Sequence, residues 1–171
     1  VIINNQSAED YRYSIYHDDL DGSCQVMNHL IGLGHQRIAF LAIQDARLTG
    51  YRQTLLDHNL PYDESLIFTP DPARVVSSAY DLTVEILQLH PRPTAIFAAN
   101  DESAISAIAA LHDHGVKVPQ DMAIVSIDNI DMAAMIRPSL TTVEVPKKQM
   151  ATYAMQLLLL HEQVEDQQSA S

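Results

Sequence analysis

The stretch Pro93-Thr94-Ala95-Ile96-Phe97-Ala98-Ala99-Asn100-Asp101 sets an unbroken apolar run between a proline breaker and two polar residues. Thr94 to Ala99 reads as a strand covered on both faces, because no polar residue alternates with the apolar ones. Upstream, Arg74 to Leu89 has helical spacing, with Val75, Ala79, Leu82 and Ile86 on one face, and Pro91-Arg92-Pro93 ends it. Downstream, Glu102 to Asp113 predicts a helix that stops at Gly115, and Met122 to Ile127 predicts another apolar strand. The alternation reaches both ends. Val1-Ile2-Ile3 and Tyr13 to Tyr16 predict short strands. Gly22 to Leu33 predicts a helix with Val26, Met27, Leu30 and Ile31 on one side, capped by Asp21 or Ser23 and ended by Gly34. Arg37 to Ala42 predicts a strand, Ala46 to His58 a helix, and Leu66 to Thr69 a strand. Asn129 to Met135 predicts a short helix and Thr141 to Val145 a strand. Pro146 opens a last helix to about His161, and the polar residues 162–171 are expected to be loose.

Strand–helix units with continuous apolar strands define an α/β fold, a parallel sheet flanked by helices on both faces. Ligands of such sheets sit at the carboxyl ends of the strands. Asn4 and Asn5 follow Ile3, Asp45 and Arg47 follow Ala42, Asn100 and Asp101 follow Ala99, and Asp128 and Asn129 follow Ile127. A guanidinium fork, an amide and a carboxylate together suit the vicinal hydroxyls of a sugar or the edge of a purine. Each Asn or Asp taken singly would equally cap the helix after it. Several such strand ends together favour a binding site.

The 171 residues suffice for one domain with its own core, and 47% apolar against 19% charged residues fits a globular chain. Lys and Arg total 10 against 22 Asp and Glu, a net charge of −12. A surface this acidic repels phosphate backbones, so these residues are not expected to bind nucleic acid themselves. No run has the length of a membrane span, and no signal peptide precedes Asn4. The single Cys24 cannot form an internal disulfide, favours a reducing compartment and reads as a small buried residue. Catalytic and metal patterns are missing. Asp18, Asp19 and Asp21 fail as a calcium loop, because His17 holds the first ligand position. The histidines have no zinc spacing, no Gly-x-Ser-x-Gly elbow occurs, and Gly32-x-Gly34 precedes a strand rather than following one. The expectation is a binding module that is not an enzyme, with no cofactor, no metal and no catalytic residue.

Gly34-His35-Gln36-Arg37-Ile38-Ala39-Phe40, Arg47-Leu48-Thr49-Gly50-Tyr51 and the central stretch to Asn100-Asp101 resemble, in order, motifs of LacI/GalR-type transcriptional regulators. Gly115-Val116-Lys117-Val118-Pro119-Gln120-Asp121, Ile127-Asp128-Asn129 and Pro138-Ser139-Leu140-Thr141-Thr142-Val143 continue the resemblance. Ser126 stands where that family often has Gly, and Asn129 where it often has a second Asp. The resemblance implies a periplasmic-binding-protein-like (type I) fold of two lobes with the effector in the cleft. It implies mostly the C-terminal lobe over residues 18–140, with 1–17 as a remnant of the N-terminal lobe. Residues 141–161 would be the crossover strand and helix returning to that lobe, followed by the polar tail 162–171. It also implies a homodimer in the cytoplasm that reads operator DNA only through an N-terminal helix-turn-helix outside this chain. By the resemblance, Asn4, Arg47, Asn100 and Asp128 would hold a sugar or nucleoside-like effector. No aromatic lies between Thr69 and Ala79 to stack on a sugar, and an anionic group on the ligand would pair with Arg74. The chain is expected to be a fragment that exposes apolar helix faces. The alternative is a periplasmic sugar-binding protein of an ABC transporter; the Leu140-Thr141-Thr142-Val143 crossover favours the regulator.

Overall fold

The computed structural model describes residues 2–3, 13–43, 45–71, 73 and 75–169, so Asn4 and Arg74 lie outside the described residues. The chain divides into two compact units, Val1–Asp18 with Val145–Ser171, and Asp19–Glu144. In the smaller unit β1 (Ile2–Ile3) and β2 (Ser14–Ile15) pair in parallel. The larger unit runs α1 (Asp19–Gly32), β3 (Ile38–Leu41), α2 (Ala46–Asp57), β4 (Ile67–Phe68) and α3 (Val75–Leu87). It continues with β5 (Ala95–Ala98), α4 (Asp101–Asp113), β6 (Ala123–Asp128), α5 (Asp131–Met135) and β7 (Thr141–Glu144). The last helix, α6 (Lys147–Ser169), belongs to the smaller unit.

The five strands of the larger unit form one sheet in the order β4-β3-β5-β6-β7, and every neighbouring pair is parallel. β5 is central, bonded to β3 on one side and β6 on the other, and all four of its residues are buried. One face of the sheet presents Ala39, Leu41, Ile96, Ala98 and Ile124 to α3 and α4, which contribute Ala79, Ile86, Leu87, Ala104, Ala107 and Leu111. Phe40 and Phe97 point the other way, their rings edge to face at 5.4 Å, and Phe40 meets Tyr51 of α2 at 5.3 Å. The buried Tyr51 hydroxyl donates to the Ile38 carbonyl at 2.8 Å, and burial pushes its pKa upward. Period-2 alternation within a wholly apolar strand thus splits its side chains between two helical layers.

The expected helix and strand order is present, with differences at the ends. α1 begins at Asp19, earlier than the expected Gly22, and neither proposed cap acts as one. Ser23 is fully buried and donates its hydroxyl to the Arg47 carbonyl at 2.7 Å, while Asp21 accepts from Gln25 within the helix. Gly34 ends the helix as expected, with φ +95°, a conformation that an L side chain resists. Cys24, expected to be buried, is half-buried, its Sγ 3.9 Å from the Gly50 carbonyl oxygen. α6 continues past His161 to Ser169, because no glycine or proline interrupts 147–169. On α6 the side chains of Tyr153, Met155, Leu158, Leu159 and Leu160 are exposed.

α1 and α2 approach closely at Gly50. A Cβ there would lie 2.7 Å from the Leu20 carbonyl oxygen and 2.7 Å from the Ser23 Cβ. Both obstacles belong to a packed helix and cannot swing aside. Gly50→Ala is therefore expected to cost about 1–3 kcal/mol through overpacking, read as a lower urea midpoint; an unchanged midpoint would contradict this packing.

Candidate functional site

Because the sheet is parallel, the chain leaves β3, β5 and β6 at one edge, and these three strands are neighbours. At about 4.8 Å per strand the three ends span roughly 10 Å. Arg47, Asn100 and Asp128 stand at these ends in that order.

Asp45 caps α2, its Oδ1 accepting from the Arg47 backbone N–H at 2.9 Å. The same carboxylate holds the Arg47 guanidinium, with Oδ2 at 3.2 Å from Nε and 3.0 Å from Nη2. Asp19 of α1 adds a charge contact to Nε at 3.5 Å, and Nη1 donates to the Ala99 carbonyl at 2.7 Å. The fork thereby bridges the loop after β3 to the end of β5. A guanidinium has five N–H groups, so among the described residues a second hydrogen remains on each terminal nitrogen. With 18% of its side chain exposed, Arg47 can offer these to a ligand without first breaking a bond.

Asn100 does cap α4, as the plainer reading of a strand-end Asn holds, its Oδ1 accepting from the Ser103 N–H at 2.9 Å. Its Nδ2 takes no partner among the described residues and remains a donor at the edge. Ser103 is 1% exposed, and its hydroxyl lacks a hydrogen-bond partner among the described residues.

Asp128 ends β6 in an unusual backbone. Its φ is 135° and that of Asn129 is 52°, two consecutive non-glycine residues on the side of φ that L side chains avoid. Each such residue costs on the order of 1–3 kcal/mol unless the surroundings hold it. This is why α5 starts only at Asp131 and not at the expected Asn129. Asp101, which the sequence placed beside Asn100 in the clamp, has instead gone inside. It is fully buried and accepts from the Ser126 and Thr142 hydroxyls at 2.6 Å each and from the Ile130 N–H at 2.8 Å. Ser126 and Thr142 were not singled out by sequence reasoning; the only signal was Ser126 standing where Gly is common.

The edge thus brings N–H groups of Arg47 and Asn100 to the strand ends beside the one that Asp128 closes. One guanidinium is outnumbered by the carboxylates of Asp19, Asp45, Asp101 and Asp128. Such a surface can exchange hydrogen bonds with a neutral, hydroxyl-rich molecule and repels an anion. Among the described residues, no group of three or more His, Cys, Asp or Glu could hold a metal ion. No helix among them is long and apolar enough to cross a membrane. A separate hollow of about 780 Å³ lies at the opposite end of α4, lined by Ile105, Ile108, Val116, Ile136 and Pro138 among others.

A parallel α/β unit with polar groups gathered at the carboxyl ends of its strands has the arrangement in which such sheets hold ligands. The chain belongs to the periplasmic binding protein-like domain family, matching it over residues 27–170. It is 31% identical over 149 residues to the HTH-type transcriptional repressor PurR of Vibrio atlanticus, covering 81% of this chain and 43% of that protein. It is 37% identical over 139 residues to the HTH-type transcriptional regulator DegA of Bacillus subtilis, covering 78% and 40%. Among solved structures, a LacI family transcriptional regulator from Enterococcus faecium with bound ribose superposes with TM-score 0.84 at 29% identity, covering 95% of this chain and 62% of that one. The chain spans about half the length of the curated relatives it matches.

Proposed function

We propose that this chain is the effector-sensing core of a LacI-type transcriptional regulator and is not an enzyme. Its effector is a small neutral polar molecule, a sugar or a nucleoside-like compound, held at the carboxyl edge of the five-stranded sheet. The observation that carries this reading is the row of Arg47, Asn100 and Asp128 on adjacent strand ends, with Arg47 already balanced by Asp45 and Asp19. In these roles Arg47 and Asn100 donate to ligand oxygens, and Asp128 accepts from hydroxyls. Asn4 and Arg74 are proposed as further contacts, Asn4 from the other lobe and Arg74 as an N–H donor to ligand oxygens in place of the anion partner considered from the sequence. The repressor and regulator names of the relatives favour this reading over the transporter alternative. The regulator works in the cytoplasm, where its operator is. DNA is contacted by a helix-turn-helix in the longer protein, since a net charge of −12 opposes contact by these residues. Effector binding shifts the population between lobe arrangements and so the separation of the two headpieces, which must match about 34–36 Å of DNA.

Calorimetric titration tests the ligand class. The protein is expected to bind D-ribose or another neutral sugar or nucleoside from a panel, and to reject ribose 5-phosphate. Arg47→Lys, which loses the fork, is expected to weaken the neutral ligand by about tenfold. Tight binding of the phosphorylated sugar alone would contradict the charge argument.

The partner of the regulator is a second copy of itself. The hollow at the far end of α4 is lined mostly by apolar residues, with exposed Met135 close by in sequence, and its lining includes both Lys117 and Asp113. A two-fold copy of such a surface meets opposite charges around an apolar middle. Sedimentation equilibrium is expected to give a dimer that Ile105→Asp converts to monomer; a monomeric parent protein at micromolar concentration would refute this.

A further inference from the structure

We propose that Thr142 and Asp101 are positioning residues of the effector site, holding the left-handed turn at Asp128–Asn129 that presents Asp128. The inference rests on the functional reading above, in which Asp128 contacts the effector.

The turn has to be held by something, and its backbone N–H groups show what does so. The Ile130 N–H donates directly to Asp101 Oδ2 at 2.8 Å, and the Asn129 N–H donates to the Thr142 hydroxyl oxygen at 3.3 Å. Thr142 can accept there because its own proton is committed elsewhere, to Asp101 Oδ1 at 2.6 Å. A hydroxyl has one proton, so a carboxylate that takes it leaves only lone pairs to face the amide. The carboxylate therefore sets the polarity of the Thr142 hydroxyl, and the hydroxyl holds the turn.

Ser126 completes the arrangement. Its hydroxyl donates to the same Asp101 Oδ1 at 2.6 Å, and both Ser126 and Asp101 are fully buried. One carboxylate thus ties together the first residue of α4, the middle of β6, the second residue of β7 and the turn between β6 and α5. Asn100 immediately precedes Asp101 in the chain, and Asp128 immediately precedes the turn that Asp101 and Thr142 hold. A glycine at 126 would leave Asp101 with one hydroxyl fewer, so the serine of this chain contributes directly to the tie.

The test compares Thr142→Val, which keeps the shape and loses the hydroxyl, with Thr142→Ser, which keeps the hydroxyl. Amide hydrogen exchange at Asn129 and Ile130 is read by NMR, beside D-ribose affinity and the thermal midpoint. The expected result is Asn129 exchange faster by about tenfold in the Val variant, the scale of one lost hydrogen bond, and restored in the Ser variant. Ribose affinity should fall with it and recover in the Ser variant, while the thermal midpoint of the Val variant falls by only a few degrees, as for one lost hydrogen bond to a buried carboxylate. Asp101→Asn, whose amide would set a donor against the Ile130 N–H, should extend the loss of protection to Ile130. Unchanged Asn129 exchange in Thr142→Val would overturn the proposal, as would a lowered midpoint with exchange and affinity intact. If the parent protein binds no ribose, that counts against ribose as the effector, and the exchange comparison still decides the positioning role.

Discussion

A strand bonded on both sides and covered on both faces can hold a polar side chain before its end only where a buried partner meets it, as Asp101 meets Ser126. β5 is such a strand, and Ala95, Ile96, Phe97 and Ala98 obey the constraint. Its apolar side chains fill the layers under α3 and α4 on one face and beside Phe40 on the other. Its polar residues are therefore displaced to the carboxyl end, where Asn100 and Asp101 appear together. The neighbouring strands are parallel, so the same displacement puts Asp45 and Arg47 on one side and Asp128 on the other. Fold and candidate site follow from one rule about burial.

This explains why the architecture was legible in the sequence. The apolar runs at 38–41 and 95–98 are continuous, that at 123–127 is broken only by Ser126, and the breaks at Gly34, Pro91-Arg92-Pro93 and Gly115 are local chemistry. Arg47, Asn100 and Asp128 could be found because strand ends are where ligands collect. What escaped the sequence depends on who faces whom across the fold. Ser23 reads as a cap, yet it is spent on the Arg47 carbonyl because α1 and α2 pack closely at Gly50. Asp101 reads as an exposed partner of Asn100, but one step of helix turns it inward. Nothing in a single chain reveals that Ser126 and Thr142, sixteen residues apart by number, converge on it. The left-handed pair at Asp128–Asn129 was hidden for the same reason, since its support comes from β7 and α4.

The charges of the site divide into those that build and those that remain to act. Asp45 and Asp19 immobilise Arg47, and Asp101 is consumed by hydroxyls and an amide. A guanidinium already paired loses little entropy and little solvation when a ligand arrives, and contributes direction more than charge. This is the physical basis for expecting a neutral hydroxyl-rich effector. The net charge of −12 sets the surface of these residues against a phosphate backbone.

The central claim is that the carboxyl edge of the sheet is where the effector binds. Mapping 15N amide shifts of the protein while titrating a panel of neutral sugars tests it most directly. The account predicts the largest shifts at residues 45–47, 99–101 and 128–130, on three strand ends at once. Shifts confined to the hollow around Ile105, Val116 and Ile136, with the strand ends silent, would contradict it.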